Sequence, residues 1–458
     1  MTLKSALSFG AAMALALPAT LAAQTAEPEN VLPQQAAPAP KAVQQTGQDA
    51  PDIEETSQAV VQEIPPEADP NPVGEWSQAD ARALLTVVEG IGDEGLMPSD
   101  YFPLELGAAI DAGPGDELNA LASKVFVYLV EDLRDGRTPM DARRQWFVVD
   151  PDPDLIPTFT VMEAALESGD IAGELAKLAP EHRDYAALKA ELAKTKDAKK
   201  RKLIRANLDR WRWLPRDLGR FYLLTNVPEY KLRVTVGDKV LFNYRTIVGK
   251  PGRTATPQLA ETVQGVVFNP TWTVPQSIVK GEGLGAKVLG NPGWAKANGY
   301  TASKSENGFI TVVQQPGAGN SLGRMKLDMP NPHAIFIHDT PAKSLFGRDM
   351  RALSHGCIRT EHADELAITM AIAGKGATKE EAIEIAASGK YTKVALERKW
   401  PVYITYFTMG TDVDGKMKTF GDIYDRDAPV LASLDAARVG NRARETDEEV
   451  VAIEQPGA

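Results

Sequence analysis

The chain has 458 residues, a formal net charge of −12 and a sequence pI of about 5.1. That length and its apolar content allow two or three domains with real cores. The acidic balance excludes a nucleic-acid partner, which would need a basic face.

Met1 to Ala23 reads as an export signal. Lys4 supplies the positive start, Ala6 to Leu17 the apolar stretch, and Thr20-Leu21-Ala22-Ala23 a small-residue cleavage site. The stretch is short and broken by Pro18, so a cleaved signal is expected rather than a membrane span. The mature protein is therefore expected in the periplasm. Residues 24–72 are rich in Pro, Ala, Gln and Glu with almost no aromatics. Such a segment buries too little apolar surface to offset its ordering entropy, and a disordered tether is expected.

Residues 73–205 carry a helical pattern. Ser77 is a good N-cap, and Ala81, Leu84, Leu85 and Val88 follow at helical spacing. Leu118, Leu121, Ala122, Val125, Phe126 and Leu129 repeat the period toward Asp135-Gly136. Shorter helices are expected within 161–166, 171–178 and 185–194. Lys194 to Arg205 is a basic cluster, read as a solvated helix face or a contact for anionic cell-wall polymer.

From Trp211 the texture becomes β-rich. Strands are expected over 221–227, 231–236, 239–248, 261–268, 309–313, 334–337 and 401–407, with Gly237-Asp238 as a hairpin turn. Asp412-Val413-Asp414-Gly415 reads as another turn. A helix over 361–372 is expected directly after the motif that holds the chain's one cysteine. The predicted class is α+β: a mostly antiparallel β domain over 206–433, a helical domain before it, and a tail over 434–458.

That cysteine, Cys357, lies in Ser354-His355-Gly356-Cys357-Ile358-Arg359, with His338-Asp339-Thr340 nineteen residues upstream. A lone thiol in an exported protein invites oxidation, so a chemical use is the better reading than a small buried hydrophobe. A cysteine attacks as thiolate and needs a base. His338, at the end of the apolar run 334–337, is the candidate base; His333 and His355 also lie near in sequence. Gly356 permits close backbone approach, and the Gly356 and Cys357 amides, near the start of the expected helix, are placed to hold an oxyanion. Arg359 offers a planar fork for a substrate carboxylate. His338, His355 and Cys357 lack the spacing and further ligands of a metal site, and no metal or organic cofactor is expected. Asp339, next to His338 on an expected strand, would point to the opposite face.

Ser354 to Arg359 with the upstream His338-Asp339-Thr340-Pro341 resembles the signature of L,D-transpeptidases with a YkuD-like catalytic domain. The resemblance extends to the long, YcbB-type branch through Asn207-Leu208-Asp209-Arg210-Trp211-Arg212-Trp213-Leu214-Pro215, Asn269-Pro270-Thr271-Trp272-Thr273-Val274-Pro275 and Gln314-Gln315-Pro316-Gly317. Asn320-Ser321-Leu322-Gly323, Lys326, Phe346 and the Asp135-Gly136-Arg137 run add to it.

The resemblance implies a β-sandwich catalytic domain behind a helical scaffold domain, with a capping insertion at about 278–310. Its Trp294 and Tyr300 are read as groove lining or simple packing. The peptidoglycan-binding module usual in that branch has no counterpart, only the basic segment before Arg205. The implied reaction is a 3→3 cross-link between peptidoglycan stem peptides through a Cys357 thioester, with His338 as base and the His355, Gly356 and Cys357 amides as oxyanion donors. Arg359, Ser354, Asn320 and Trp272 are expected to bind substrate. Hydrolysis of the acyl-enzyme, exchange with a D-amino acid, attachment to a protein lysine and a non-catalytic wall-binding scaffold are the alternatives.

Overall fold

The computed structural model describes residues 72–439, except 149–151, 238 and 282. The export signal, nearly all of the tether and most of the tail lie outside the described residues.

The N-terminal region is helical. Ser77 caps Gln78–Gly90 by accepting from the Asp80 amide, as the sequence predicts. Asp116–Arg134 buries Leu118, Ala122, Val125, Phe126 and Leu129 along one stripe, and these pack with Leu84 and Val88 of the first helix. Helices Thr158–Ser168, Ile171–Ala176 and Arg183–Lys194 follow. Pro103–Ala112, whose mixed composition gives little periodicity, was not expected and begins with proline at its first position.

Fourteen short or medium strands follow among the described residues. They are β1 (Phe221–Asn226), β2 (Lys231–Val236), β3 (Lys239–Gly249), β4 (Leu259–Phe268), β5 (Trp272–Thr273), β6 (Tyr300–Lys304) and β7 (Ile310–Gln314). Then come β8 (Met325–Asp328), β9 (Ile337–His338), β10 (Ala352–Ser354), β11 (Ile358–Thr360), β12 (Thr392–Thr405), β13 (Met409–Thr411) and β14 (Met417–Thr419).

The main sheet is not the expected sandwich. Its order is β10-β3-β11-β9-β8-β4-β12-β1-β2, and β2 also pairs with β3, so the sheet closes on itself like a barrel. Closure removes the edges that an open sheet would present to other chains. Most pairings are antiparallel, but β1–β12, β3–β10 and β9–β11 are parallel. The barrel interior holds Leu223, Leu232, Val266, Ile337, Ile358, Val402 and Ile404, with Leu366 and Met370 from helix Ala363–Ala373 packed among them. That helix does not follow Cys357 directly: β11 intervenes, because alternate burial of Ile358 and Thr360 fits a strand.

Residues 272–314 form a small cap with its own sheet, β5-β7-β6, and its own core of Val274, Ile278, Val279, Val288 and Val312.

Helix Ala198–Trp211 is the keel between the two halves. Its basic residues are largely engaged: Lys200 with Glu191, Lys202 with Asp435, Arg205 with the Gly95 carbonyl and Arg201 with the Leu192 and Thr195 carbonyls. At its end, buried Asp209 accepts from the Arg137 and Thr138 amides at 2.5 and 3.0 Å and from Trp213 Nε1 at 2.9 Å. Gly136 lies so close to the Trp213 ring that a Cβ would approach it to 2.6 Å. Burial pushes the Asp209 carboxyl up, but Arg212, Arg143 and the donated hydrogen bonds hold it below the usual carboxylate range. Removing one member of such a buried set strands its partners, so Asp209→Ala should cost about 3–5 kcal/mol, measured by denaturant unfolding. Conversely, an unchanged unfolding midpoint would show that the two halves are held elsewhere.

Candidate active site

The predicted nucleophile and base come together through a pairing of two very short strands. β9 and β11 run parallel with Ile337 opposite Ile358 and His338 opposite Arg359, and the Ile358 amide donates to the Phe336 carbonyl at 3.0 Å. Side chains alternate along a strand, and both isoleucines are fully buried in the barrel core. Phe336, His338, Cys357 and Arg359 therefore share the opposite face. Lys326 of β8 is paired with His338 and joins them, its ammonium 4.1 Å from the Phe336 ring centre. Phe336 packs against both the barrel core and the cap core, which sets the cap beside this face.

The loop that carries Cys357 spans from β10 to β11, and both strands pair with the end of β3. Ser354 Oγ closes it by donating to the Cys357 carbonyl at 2.5 Å while accepting from the Gly356 amide at 3.2 Å. Gly356 has φ of 120°, and a Cβ there would meet Ile335 at 3.1 Å, so both conformation and space select glycine. Cys357 is half-buried, with Sγ 3.6 Å from the Ala334 carbonyl.

Burial pushes the Cys357 thiol up to about 11, although the Phe336 backbone and the Lys326 and Arg359 charges pull it down. Burial takes His338 down to about 3, helped by Arg359 and Lys326 and opposed by backbone groups of Asp339 and Leu322. His338 is buried rather than at an open strand tip, and both groups rest uncharged. His355 is half-buried in the loop. His333 lies outside the cluster, its ring 4.0 Å from that of Phe147.

Asp339 accepts from the Arg324 amide at 2.9 Å and pairs with Lys343, so it braces the turn before β8 rather than orienting a histidine. Three of the expected substrate contacts are structural. Asn320 is buried, donating to the Pro270, Gln314 and Gln315 carbonyls and accepting from the Leu322 amide; it knots the cap's two connections. Trp272 is buried in the cap core. Ser354 is buried and committed within its loop. Trp294 and Tyr300 stack at 5.6 Å on the margin of the cap core, with Lys287 3.9 Å from the Trp294 ring centre. Among the described residues no group of three or more His, Cys, Asp or Glu side chains could hold a metal, and no helix is long and apolar enough to cross a membrane.

Residues that sequence reasoning missed lie beneath the loop. The β3–β4 connection donates from the Lys250 amide to the Ser354 carbonyl at 2.9 Å and from the Thr256 hydroxyl to the Gly356 carbonyl at 2.8 Å. Nothing in the local pattern around Thr256 signals this contact, which spans 100 residues.

Comparison with known proteins agrees with this architecture. Residues 220–404 match the L,D-transpeptidase catalytic domain (YkuD), and residues 74–192 match a scaffold domain. A Haemophilus influenzae protein provisionally named an L,D-transpeptidase is 26% identical over 379 residues, covering 78% of this chain and 76% of its own. Among solved structures, the Ldtfm–avibactam carbamoyl enzyme has 15% identity and a TM-score of 0.22, matching 42% of this chain and 51% of its own. The L,D-transpeptidase from Mycobacterium smegmatis has 14% identity and a TM-score of 0.21, matching 41% of this chain and 59% of its own. The chain thus spans between half and three-fifths of the length of these solved relatives.

The closed β domain is thus a YkuD L,D-transpeptidase catalytic domain carried behind a helical scaffold domain. The order, scaffold followed by catalytic domain, is the YcbB-type arrangement, and helix Ala198–Trp211 lies between the matched stretches.

Because the chain has one cysteine, its thiol can be titrated directly. Thiolate absorbance near 240 nm, and the rate of iodoacetamide alkylation, should rise about tenfold per pH unit up to a midpoint of about 11. A plateau already reached near pH 7 would instead mean a resting thiolate–imidazolium pair.

Proposed function

We propose that this protein is a peptidoglycan L,D-transpeptidase acting outside the cytoplasm, after export directed by Met1 to Ala23. The observation that carries the reading is the convergence of Cys357, His338, Arg359 and Lys326 on one face beside the cap.

Cys357 Sγ attacks the carbonyl that joins the diamino acid at position three of a stem tetrapeptide to its terminal D-Ala. His338 accepts the thiol proton as the S–C bond forms, since the buried site favours neither a free thiolate nor a free imidazolium. The Cys357 amide stabilises the tetrahedral oxyanion with help from its loop neighbour His355, the Gly356 amide being held by Ser354 Oγ. His338 then returns the proton to the departing amine, D-Ala leaves, and a thioester remains. The side-chain amine of a second stem attacks that thioester, giving a 3→3 cross-link and freeing the thiol. Arg359, half-buried on the same face, holds the donor's terminal carboxylate, and the positive field it shares with Lys326 favours the oxyanion.

Intact mass spectrometry tests the assignment on wild type and Cys357→Ala, each incubated with a carbapenem and separately with a disaccharide-tetrapeptide. Wild type should gain one carbapenem adduct and should convert the muropeptide to a dimer with loss of D-Ala. The variant should do neither while melting at a similar temperature. Turnover by Cys357→Ala would refute the nucleophile; a tripeptide product without dimer would replace cross-linking by hydrolysis.

A further inference from the structure

The peptide between Gly356 and Cys357 is held from below by a single hydroxyl. Thr256, fully buried, donates Oγ1–H to the Gly356 carbonyl at 2.8 Å and accepts from the Gly249 amide at 2.9 Å. Its own backbone is fixed on both sides. The Thr256 amide donates to Tyr424 Oη at 3.3 Å, Tyr424 donates in turn to the Gly249 carbonyl at 2.5 Å, and the Arg426 guanidinium donates to the Thr256 carbonyl at 3.0 Å. Arg426 lies against the Tyr406 and Tyr424 rings, 4.9 Å from each centre, and also binds Gln145 of the scaffold connection that follows helix Asp116–Arg134.

A trans peptide points its carbonyl and its N–H in opposite directions. With the Gly356 carbonyl turned inward to Thr256, the Cys357 N–H must turn outward, toward the side where an acyl oxygen would sit. Among the described residues that N–H makes no hydrogen bond. Gly356, with its positive φ, would otherwise leave this peptide free to rotate.

We propose that Thr256 is a positioning residue for acyl transfer, locking the Gly356–Cys357 peptide so that the Cys357 amide is presented as the oxyanion donor; this rests on Cys357 being the nucleophile. Thr256→Val keeps the branched shape and removes the hydroxyl, whereas Thr256→Ser keeps the hydroxyl.

The test compares two reactions of the same thiol in the full-length protein. Acylation by a carbapenem forms an oxyanion; alkylation by iodoacetamide does not. Thr256→Val should slow acylation by about 10- to 100-fold, the scale of losing a well-aimed oxyanion donor, while alkylation at the same pH changes by less than about threefold. Thr256→Ser should acylate nearly as fast as wild type. Acylation of Thr256→Val within about twofold of wild type, or alkylation falling in parallel with it, would overturn the proposal. Where a thermal melt shows Thr256→Val unfolded, Tyr424→Phe carries the test, because it releases the Thr256 amide and keeps the ring; unchanged acylation there would overturn the assignment. Acylation of Cys357→Ala, by contrast, would mean the nucleophile itself is wrongly assigned.

Discussion

A single buried carboxylate organises the contact between the two halves of the chain. Asp209 sits at the end of helix Ala198–Trp211 with no exposed surface, and its donors come from the scaffold side (Arg137 and Thr138) and from the exit of its own helix (Trp213). Such a group is tolerable only when nearly all its lone pairs are used. Its neighbours divide the work by helical face. Arg212 reaches back to the Glu94 carbonyl and Tyr185 in the scaffold, at 2.5 and 2.7 Å. Asn207 and Arg210 face the other way, to Thr408 and to Asp427. One helix turn therefore addresses both domains, and a shift of a single residue would rotate each side chain by about 100° away from its partner.

The same logic continues toward the site. Gln145 lies within the scaffold, between helices Asp116–Arg134 and Thr158–Ser168, in a left-handed conformation, and its carbonyl accepts from the Gln258 amide at 2.9 Å. Gln258 returns a side-chain hydrogen bond to the Arg144 carbonyl at 3.2 Å, and the Phe147 amide donates to the Gln258 carbonyl at 2.9 Å. This internal scaffold connection thus runs beside Gln258, two residues from Thr256. Arg426 bridges Gln145 to the Thr256 carbonyl. The path from scaffold to catalytic loop is short because the β3–β4 connection lies between them. A scaffold joined in this way helps fix the floor on which the Cys357 loop rests.

How far this could be read from the chain follows from the length scale of each signal. The hairpin of β2 and β3 was legible because alternating apolar residues flank Gly237, and Val236 does pair with Lys239. The long helices were legible from their stripes. β10 and β11 were not, and β9, expected over 334–337, is only Ile337–His338: two or three residues cannot show a period, and their parallel pairings join segments with no local turn. For the same reason the expected helix after Cys357 was placed two residues early. Cys357, His338 and Arg359 stood out by residue type and spacing, and the structure brings them to one face. Asn320 and Trp272 carried equally distinctive motifs, yet their side chains serve packing and loop closure. A motif marks a constrained position, whether the constraint is chemistry or shape. Thr256 carried no mark, because its partner is distant in sequence.

The charge state of the site bears on how readily a lone thiol is oxidised. Oxidants act on the thiolate rather than on the thiol, so a cysteine held at a midpoint of about 11 is largely inert at neutral pH. A permanent thiolate–imidazolium pair would give faster attack but would leave the sulfur open to oxidation whenever substrate is absent. Here burial disfavours both charges of that pair, and Arg359 and Lys326 add a positive field that disfavours the imidazolium in particular. The same two cations favour the negative charge that develops on sulfur and then on the acyl oxygen. In the proposed reaction, substrate would supply the missing element, a carbonyl within reach of Sγ and a carboxylate that offsets Arg359. Neutralising that cation raises the basicity of His338 at the moment a base is needed, so activation follows from occupancy.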